Sequence, residues 1–322
     1  MAALIRLGKT DIHISTVGLG CWQFSQAKGL VGSYWAHLTQ EEVTQIVAVS
    51  IKKGVNWFDT AEAYGSGSSE RALAEGLRFL QISSEDIYIA TKWWPTPRFA
   101  SSIPASARRS QNNLGEYPIS IYQVHNPFSL SPKSEQMREM AKLVKAGIIK
   151  HVGVSNFNAL QMRQAADVLY AEGLRMVSNQ VRYSLLDRSI ESNGVLEAAE
   201  ELDISIIAYS PLAQGILTGR FHAEPSLIKA RGGFRRFLPD FRKAALDRSR
   251  ALVHVLRRIG ASHQAVPAQI ALAWLIQRNP GRVAVIPGAS SAAQAEKNAV
   301  AMDITLTTDE ILEIDLISKT VG

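Results

Sequence analysis

Residues 56–65 read Asn56-Trp57-Phe58-Asp59-Thr60-Ala61-Glu62-Ala63-Tyr64-Gly65. An aromatic, apolar strand pattern over Asn56–Phe58 runs into a carboxylate, Asp59, and five residues later into a phenol, Tyr64. A loop of that length can turn the phenol back towards the strand end that carries Asp59. Working outward, the same event recurs. Lys92 follows the strand pattern Ile87–Thr91, His125 follows Ile119–Val124, and Ser155-Asn156 follow Val152–Val154. Gln180 follows Met176–Asn179 and Tyr209 follows Ile204–Ala208. Successive positions lie about thirty residues apart, the length of one βα unit.

The remaining strand patterns are Thr16–Gly20 and Val283–Ile286, and the fifth strand extends back to Ile149. Helical patterns sit between them. Thr39 reads as an N-cap, with Glu41 and Glu42 in the first turn where the helix dipole favours negative charge. Val43, Ile46, Val47 and Ile51 then fall on one face and Gly54 ends the helix. Leu252, Val255, Leu256 and Ile259 repeat the spacing later in the chain. Leu4–Leu7 and Ile12–Ile14, joined by Gly8-Lys9-Thr10-Asp11, predict a small N-terminal β-hairpin. Eight strands in alternation with helices on 322 residues predict one domain, residues 1–322, folded as a (β/α)8 TIM barrel. An open doubly wound sheet is the alternative. The stretch between Tyr209 and Ile286 exceeds two ordinary units, which predicts a long insertion after the seventh strand.

In a barrel, all strand C-termini open on one face, where chemistry collects. Each polar residue also has a plain reading: Asp59 as a helix cap, His125 as a satisfied core histidine, Lys92 as a surface charge. Six in register argue for convergence. Tyr, Lys, Asp and His form a sensible set for carbonyl reduction. Hydride addition to a carbonyl carbon leaves an alkoxide that needs a proton. A phenol with a pKa of about 10 is a protonated but reluctant donor, and a neighbouring ammonium makes it a stronger acid. Lys92 suits that role, with Asp59 to keep it charged and oriented. His125 suits a hydrogen bond to the carbonyl oxygen.

Residues 58–65, with Thr91-Lys92, Tyr122-Gln123-Val124-His125, Gly153-Val154-Ser155-Asn156-Phe157, Asn179-Gln180-Val181 and Tyr209-Ser210-Pro211-Leu212, resemble the aldo-keto reductase superfamily in order and spacing. The resemblance runs from about Gly8 beyond the last strand. It implies a (β/α)8 barrel that uses NADPH, with Asp59, Tyr64, Lys92 and His125 as catalytic tetrad and Tyr64 as proton donor. It implies further that Ser155, Asn156 and Gln180 hold the nicotinamide carboxamide and that Tyr209 stacks on the ring. Ser210, Leu212, Gly215 and Arg220 are implied at the pyrophosphate. Tyr183-Ser184-Leu185-Leu186-Asp187-Arg188 and Ile286-Pro287-Gly288-Ala289-Ser290-Ser291 resemble the branch related to potassium-channel β subunits. Gly288, Ser290, Gln294, Lys297 and Asn298 are then implied near the 2′-phosphate. Lys297 stands where that branch has a glutamate; a lysine there offsets phosphate charge and favours NADPH over NADH. Trp22 and Trp93, which flank strand ends, and Phe128, just past His125, are candidates for an apolar substrate pocket. Trp94 is left unassigned.

The composition fits. Hydrophobic residues make up 46% and charged residues 20%, which excludes a disordered chain. One cysteine, Cys21, excludes an intrachain disulfide and a Cys-based zinc cage, and no metal is expected. Cys21 has no neighbouring cation or base in sequence to make it a nucleophile. The formal charge of +6 favours anionic ligands. Much of it lies between Lys229 and Arg250, read either as a solvated face or as a cationic flap in which Arg231, Arg235 or Arg236 closes over the cofactor. Met1–Thr10 lacks the apolar core of a secretory signal. Ala261–Gln277, a stretch without Asp, Glu, Lys or Arg, falls short of the ~20 apolar residues of a membrane span. The expectation is a cytoplasmic enzyme acting on a small-molecule carbonyl, without nucleic-acid or membrane partners. A nicotinamide-sensing regulatory subunit with slow turnover is the second reading and a nucleic-acid binder the third. Oligomeric state is not legible.

Overall fold

The computed structural model describes residues 4–27, 34–229 and 241–321. Eight parallel strands form the sheet: β3 (Leu19–Gly20), β4 (Trp57–Asp59), β5 (Tyr88–Trp93), β6 (Ile119–Val124), β7 (Ile149–Ser155), β8 (Met176–Arg182), β9 (Ser205–Tyr209) and β10 (Val283–Ile286). They pair in sequence order from β3 to β10. The ring closes through parallel bridges between Val17 and Val285 and between Gly20 and Gly288. Gly18 N–H donates to Val285 O at 2.8 Å and Val285 N–H donates to Thr16 O at 2.9 Å across that seam. The architecture is a (β/α)8 barrel, not an open sheet.

Two strands, β1 (Leu4–Arg6) and β2 (His13–Ser15), pair antiparallel as the expected hairpin. The hairpin closes the floor. Its Ile5, Leu7, Ile12 and Ile14 pack against Trp57, Ala90, Ile121, Val177, Ile207 and Ala284 from six barrel strands. The larger core lies between the strands and the surrounding helices. The helix Gln40–Lys52 starts at Thr39 with a full capping box: Thr39 Oγ1 accepts from Glu42 N–H at 3.2 Å and Glu42 Oε2 accepts from Thr39 N–H at 2.8 Å.

The first strand is shorter than Thr16–Gly20 predicts, because this stretch passes over the indole of Trp57. That indole donates to Ser15 O at 2.8 Å, and a Cβ at Gly18 would lie 2.4 Å from Trp57 Cε2. Asp59, Lys92, Ser155, Gln180 and Tyr209 lie within their strands instead of just after them. The seventh barrel strand starts at Ser205, one residue later than expected. After β9 comes the long insertion: a kinked segment Ala213–Thr218, short helical turns Arg220–Ala223 and Ser226–Lys229, and then the helices Lys243–Ser262 and Pro267–Arg278. Arg231, Arg235 and Arg236 lie outside the described residues. Among those described, no helix is long and apolar enough to cross a membrane.

At the seam, Gly18 leaves no room for a side chain against the Trp57 indole. Gly18→Ala is expected to lower unfolding stability by about 1–3 kcal/mol, the usual cost of overpacking. Urea denaturation measures it, and an unchanged midpoint would mean that Trp57 has room to move.

Candidate active site

Side chains alternate across a strand, so a residue two positions beyond an interior one is also interior. Trp57, Ala90, Ile121 and Ile207 form the apolar floor layer. Two residues on in each strand stand Asp59, Lys92, Gln123 and Tyr209, one layer nearer the open rim. The floor is apolar and buried, and the layer above it is polar.

At the centre Lys92 Nζ donates to Asp59 Oδ1 at 2.5 Å and to Thr60 O at 2.8 Å. Asp59 Oδ2 accepts from Gln180 Nε2 at 2.7 Å and from Gln123 Nε2 at 3.2 Å. Lys92 is 0% exposed and Asp59 2%. A buried ion pair persists when each partner's remaining valences are also met, as here. Burial alone would discharge Lys92. Asp59, together with Tyr64, outweighs it and holds the ammonium above the usual lysine range.

Tyr64 reaches this pair from the β4 loop. Gly65 makes the turn at φ 63°, where a Cβ would sit 2.2 Å from Ser25 O. Lys92 Nζ lies 5.1 Å from the phenol ring centroid. Burial raises the Tyr64 phenol above 10, while the Lys92 charge and hydrogen bond pull the other way. Lys92 therefore lowers the phenol as expected, but desolvation prevails. His125, directly after β6, meets Tyr64 edge-on with centroids 5.6 Å apart. Burial and the Lys92 charge hold its imidazole well below 6.5, so it is neutral near pH 7. Asp59, Tyr64, Lys92 and His125 thus come together. Trp22 joins them: its ring stacks on Tyr64 at 5.9 Å and on Tyr34 at 5.4 Å, with Trp35 edge-on at 5.7 Å.

Beside this cluster, Ser155 Oγ donates to Gln180 O at 2.8 Å, and Asn156, left-handed at φ 60°, donates from Nδ2 to Ser155 Oγ at 3.0 Å. Tyr209 donates from its hydroxyl to Asn156 Oδ1 at 3.0 Å. Gln180 makes a contact that its sequence position did not reveal, since its Nε2 donates to Asp59. The loop after β9 places Ser210, Ala213, Gln214 and Gly215 at positive φ. Arg220 follows Gly219, is exposed, and has no ion pair among the described residues. Leu212 lies half-buried at the head of that loop. At the end of β10, Ser290 donates from its amide and hydroxyl to Gln294 Oε1 at 2.9 and 3.0 Å, and Asn298 Nδ2 donates to Gly288 O at 3.3 Å. Lys297 is exposed on the same helix.

Two pocket candidates come out differently. Trp93 does not line the site. It follows Lys92 on β5 and so faces outward, 0% exposed, donating from Nε1 to Ser102 Oγ at 3.1 Å. Trp94 reaches the rim instead, edge-on to His125 at 5.0 Å. The signal for this was the alternation that puts Lys92 inside. Phe128 is 71% exposed on the loop after His125. Sequence reasoning also missed Gln123, two residues before His125 on the same face, and Gln23. Gln23 is buried with Oε1 unpartnered, against Gly288, where a Cβ would lie 2.0 Å from its Nε2. No local pattern marks Gln23. Burial pushes the Cys21 thiol well up, which leaves it a poor nucleophile.

The Aldo/keto reductase family matches residues 16–319. The chain is 40% identical over 295 residues to the oxidoreductase Rv2298 of Mycobacterium tuberculosis, covering 92% of this chain and 86% of that protein. It is 30% identical over 307 residues to the aldo-keto reductase str7 of Strobilurus tenacellus, covering 94% and 88%. Among solved structures, a thermostable aldo-keto reductase, Tm1743, in complex with the inhibitor epalrestat superposes with a TM-score of 0.78 at 26% identity, covering 98% of this chain and 99% of that one.

Removing one partner of the central pair leaves a buried charge alone. Lys92→Met is expected to cost about 3–5 kcal/mol of stability, read by urea denaturation. A loss below about 1 kcal/mol would show that Gln123 and Gln180 suffice to hold Asp59.

Proposed function

The chain belongs to the aldo/keto reductase family and is a carbonyl-reducing oxidoreductase, and from that premise we propose that it reduces aldehydes or ketones with NADPH, Tyr64 supplying the proton. The observation that carries this reading is the buried Asp59–Lys92 pair set beneath the Tyr64 phenol, with neutral His125 across from it. NADPH, when bound, supplies the hydride to the carbonyl carbon. Charge then develops on the carbonyl oxygen. Tyr64 donates its proton to that oxygen, and Lys92, fixed by Asp59, stabilises the phenolate left behind. His125 donates a hydrogen bond from Nε2 to the same oxygen, the tautomer consistent with an unpartnered Nδ1.

The residues fit such a cofactor. Ser155, Asn156 and Gln180 offer donors and acceptors to a carboxamide, and the Tyr209 ring offers a face to the nicotinamide. The loop from Ser210 to Gly215, with positive φ at Ser210, Ala213, Gln214 and Gly215, suits a pyrophosphate together with Leu212 and the exposed Arg220. Gly288, Ser290, Gln294, Asn298 and Lys297 would receive the adenosine end, with Lys297 offsetting the 2′-phosphate. Gln23, packed against Gly288, has a buried amide oxygen with no donor among the described residues, open to one from the cofactor. Trp22, Tyr34, Trp35 and Trp94 give the substrate an aromatic wall, with Phe128 at the rim.

Tyr64→Phe is expected to abolish aldehyde-dependent NADPH oxidation and to leave the NADPH dissociation constant within about twofold, by fluorescence titration. NADH is expected to bind the wild type at least about tenfold more weakly. Loss of NADPH binding in the variant would make Tyr64 structural, and equal affinities would remove the role given to Lys297.

The pH profile follows from two groups. Tyr64 must be protonated and titrates above 10, so kcat/KM for reduction should hold through neutral pH and fall only as pH rises past that value. His125, held neutral to well below 6.5, should add no limb between pH 6 and 8. A steep loss between pH 7 and 8.5 would assign the proton to another group.

A further inference from the structure

Glu62 stands between Asp59 and Tyr64 and takes no part in the chemistry proposed above. Its side chain is only 13% exposed. Oε1 accepts from Trp94 N–H at 2.7 Å and from Arg98 Nη1 at 2.6 Å, while Oε2 lies 3.5 Å from Arg109 Nη2. Its backbone is also engaged: the amide donates to Lys92 O at 3.3 Å, and the carbonyl accepts from Gly67 N–H at 2.9 Å.

Arg98 continues the connection. Its Nη1 also donates to Trp94 O at 3.1 Å, its Nη2 donates to Ser106 Oγ, and its guanidinium lies over the Trp93 ring at 5.7 Å. The Arg98 carbonyl accepts from Leu130 N–H at 3.0 Å and from Ser129 Oγ at 2.8 Å. Two rim loops therefore meet on one carboxylate–guanidinium pair, the β4 loop with Tyr64 and the β5 loop with Trp94, and the β6 loop that follows His125 joins them at the Arg98 backbone carbonyl. An exposed ion pair contributes little, but a largely buried one that also caps backbone groups fixes geometry.

We propose that Glu62, paired with Arg98, is a positioning residue. It sets the Tyr64 phenol over Lys92 and the Trp94 ring against His125. The inference rests on the reductase reading. A misplacement of about 1 Å at a proton donor can cost a hundredfold in rate, and Glu62 is two residues from that donor.

The test uses the full chain with Glu62→Gln, Arg98→Gln and the double variant. NADPH titration counts the competent sites, and stopped-flow measures single-turnover oxidation of prebound NADPH by a saturating aldehyde. Each single variant is expected to slow the rate per NADPH-bound site by roughly 10- to 100-fold, with NADPH affinity within about twofold. The double variant should be no slower than the worse single, because the two act as one unit. Glu62→Asp, which keeps the charge but shortens the reach, should fall between wild type and Glu62→Gln, and it keeps the test open if the Gln variant does not fold. A merely structural role would lower the number of NADPH-binding sites and leave the rate per site unchanged; that result overturns the proposal, as does additivity in the double variant. A wild type that binds NADPH but never oxidises it with any aldehyde or ketone would instead overturn the reductase reading, and this inference with it.

Discussion

A lysine with no solvent exposure stays charged only if an anion stays with it, and in this barrel Lys92 has Asp59. The pair is costly to bury and is held by three further contacts: Thr60 O on the ammonium, and Gln123 and Gln180 on the far carboxylate oxygen. Strands β4, β5, β6 and β8 each contribute a side chain. None of them can shift register by one residue without turning its polar group out of the barrel. The charge pair therefore fixes strand alignment as well as the electrostatics of the rim.

The layer beneath keeps that arrangement dry. Trp57, Ala90, Ile121, Val177, Ile207 and Ala284 fill the barrel, and the N-terminal hairpin seals the floor beneath them. Water excluded from below makes each interaction above stronger, which is how one lysine can bear at once on the phenol of Tyr64 and the imidazole of His125. The two rings respond in opposite directions. Burial pushes the phenol up and the imidazole down, so near neutral pH both are uncharged and both can donate a hydrogen bond.

The rim is built from loops, which are less constrained than strands, and here they are tied to one another. Gly65 lets the Tyr64 loop close on Ser25, and Trp22 stacks on the phenol from that side. Glu62 and Arg98 join that loop to the two that follow on the other. Side chains that carry no chemistry thus hold those that would.

Much of this was legible beforehand. Strand patterns that run into single polar residues at intervals of about thirty predict a barrel with its polar groups on one face. The chemistry of Asp, Tyr, Lys and His indicates what such a face can do. Strand alternation, applied one residue further, would have exchanged Trp93 for Trp94. The sequence could not reveal that Gln180 serves Asp59, that Gln23 is buried against Gly288, or that burial outweighs Lys92 at Tyr64. Those facts depend on distances between segments far apart in the chain and on how much water the packed barrel excludes. Residue order determines which groups each strand presents inward; only closure of the ring brings them within hydrogen-bonding reach and sets the dielectric in which they act.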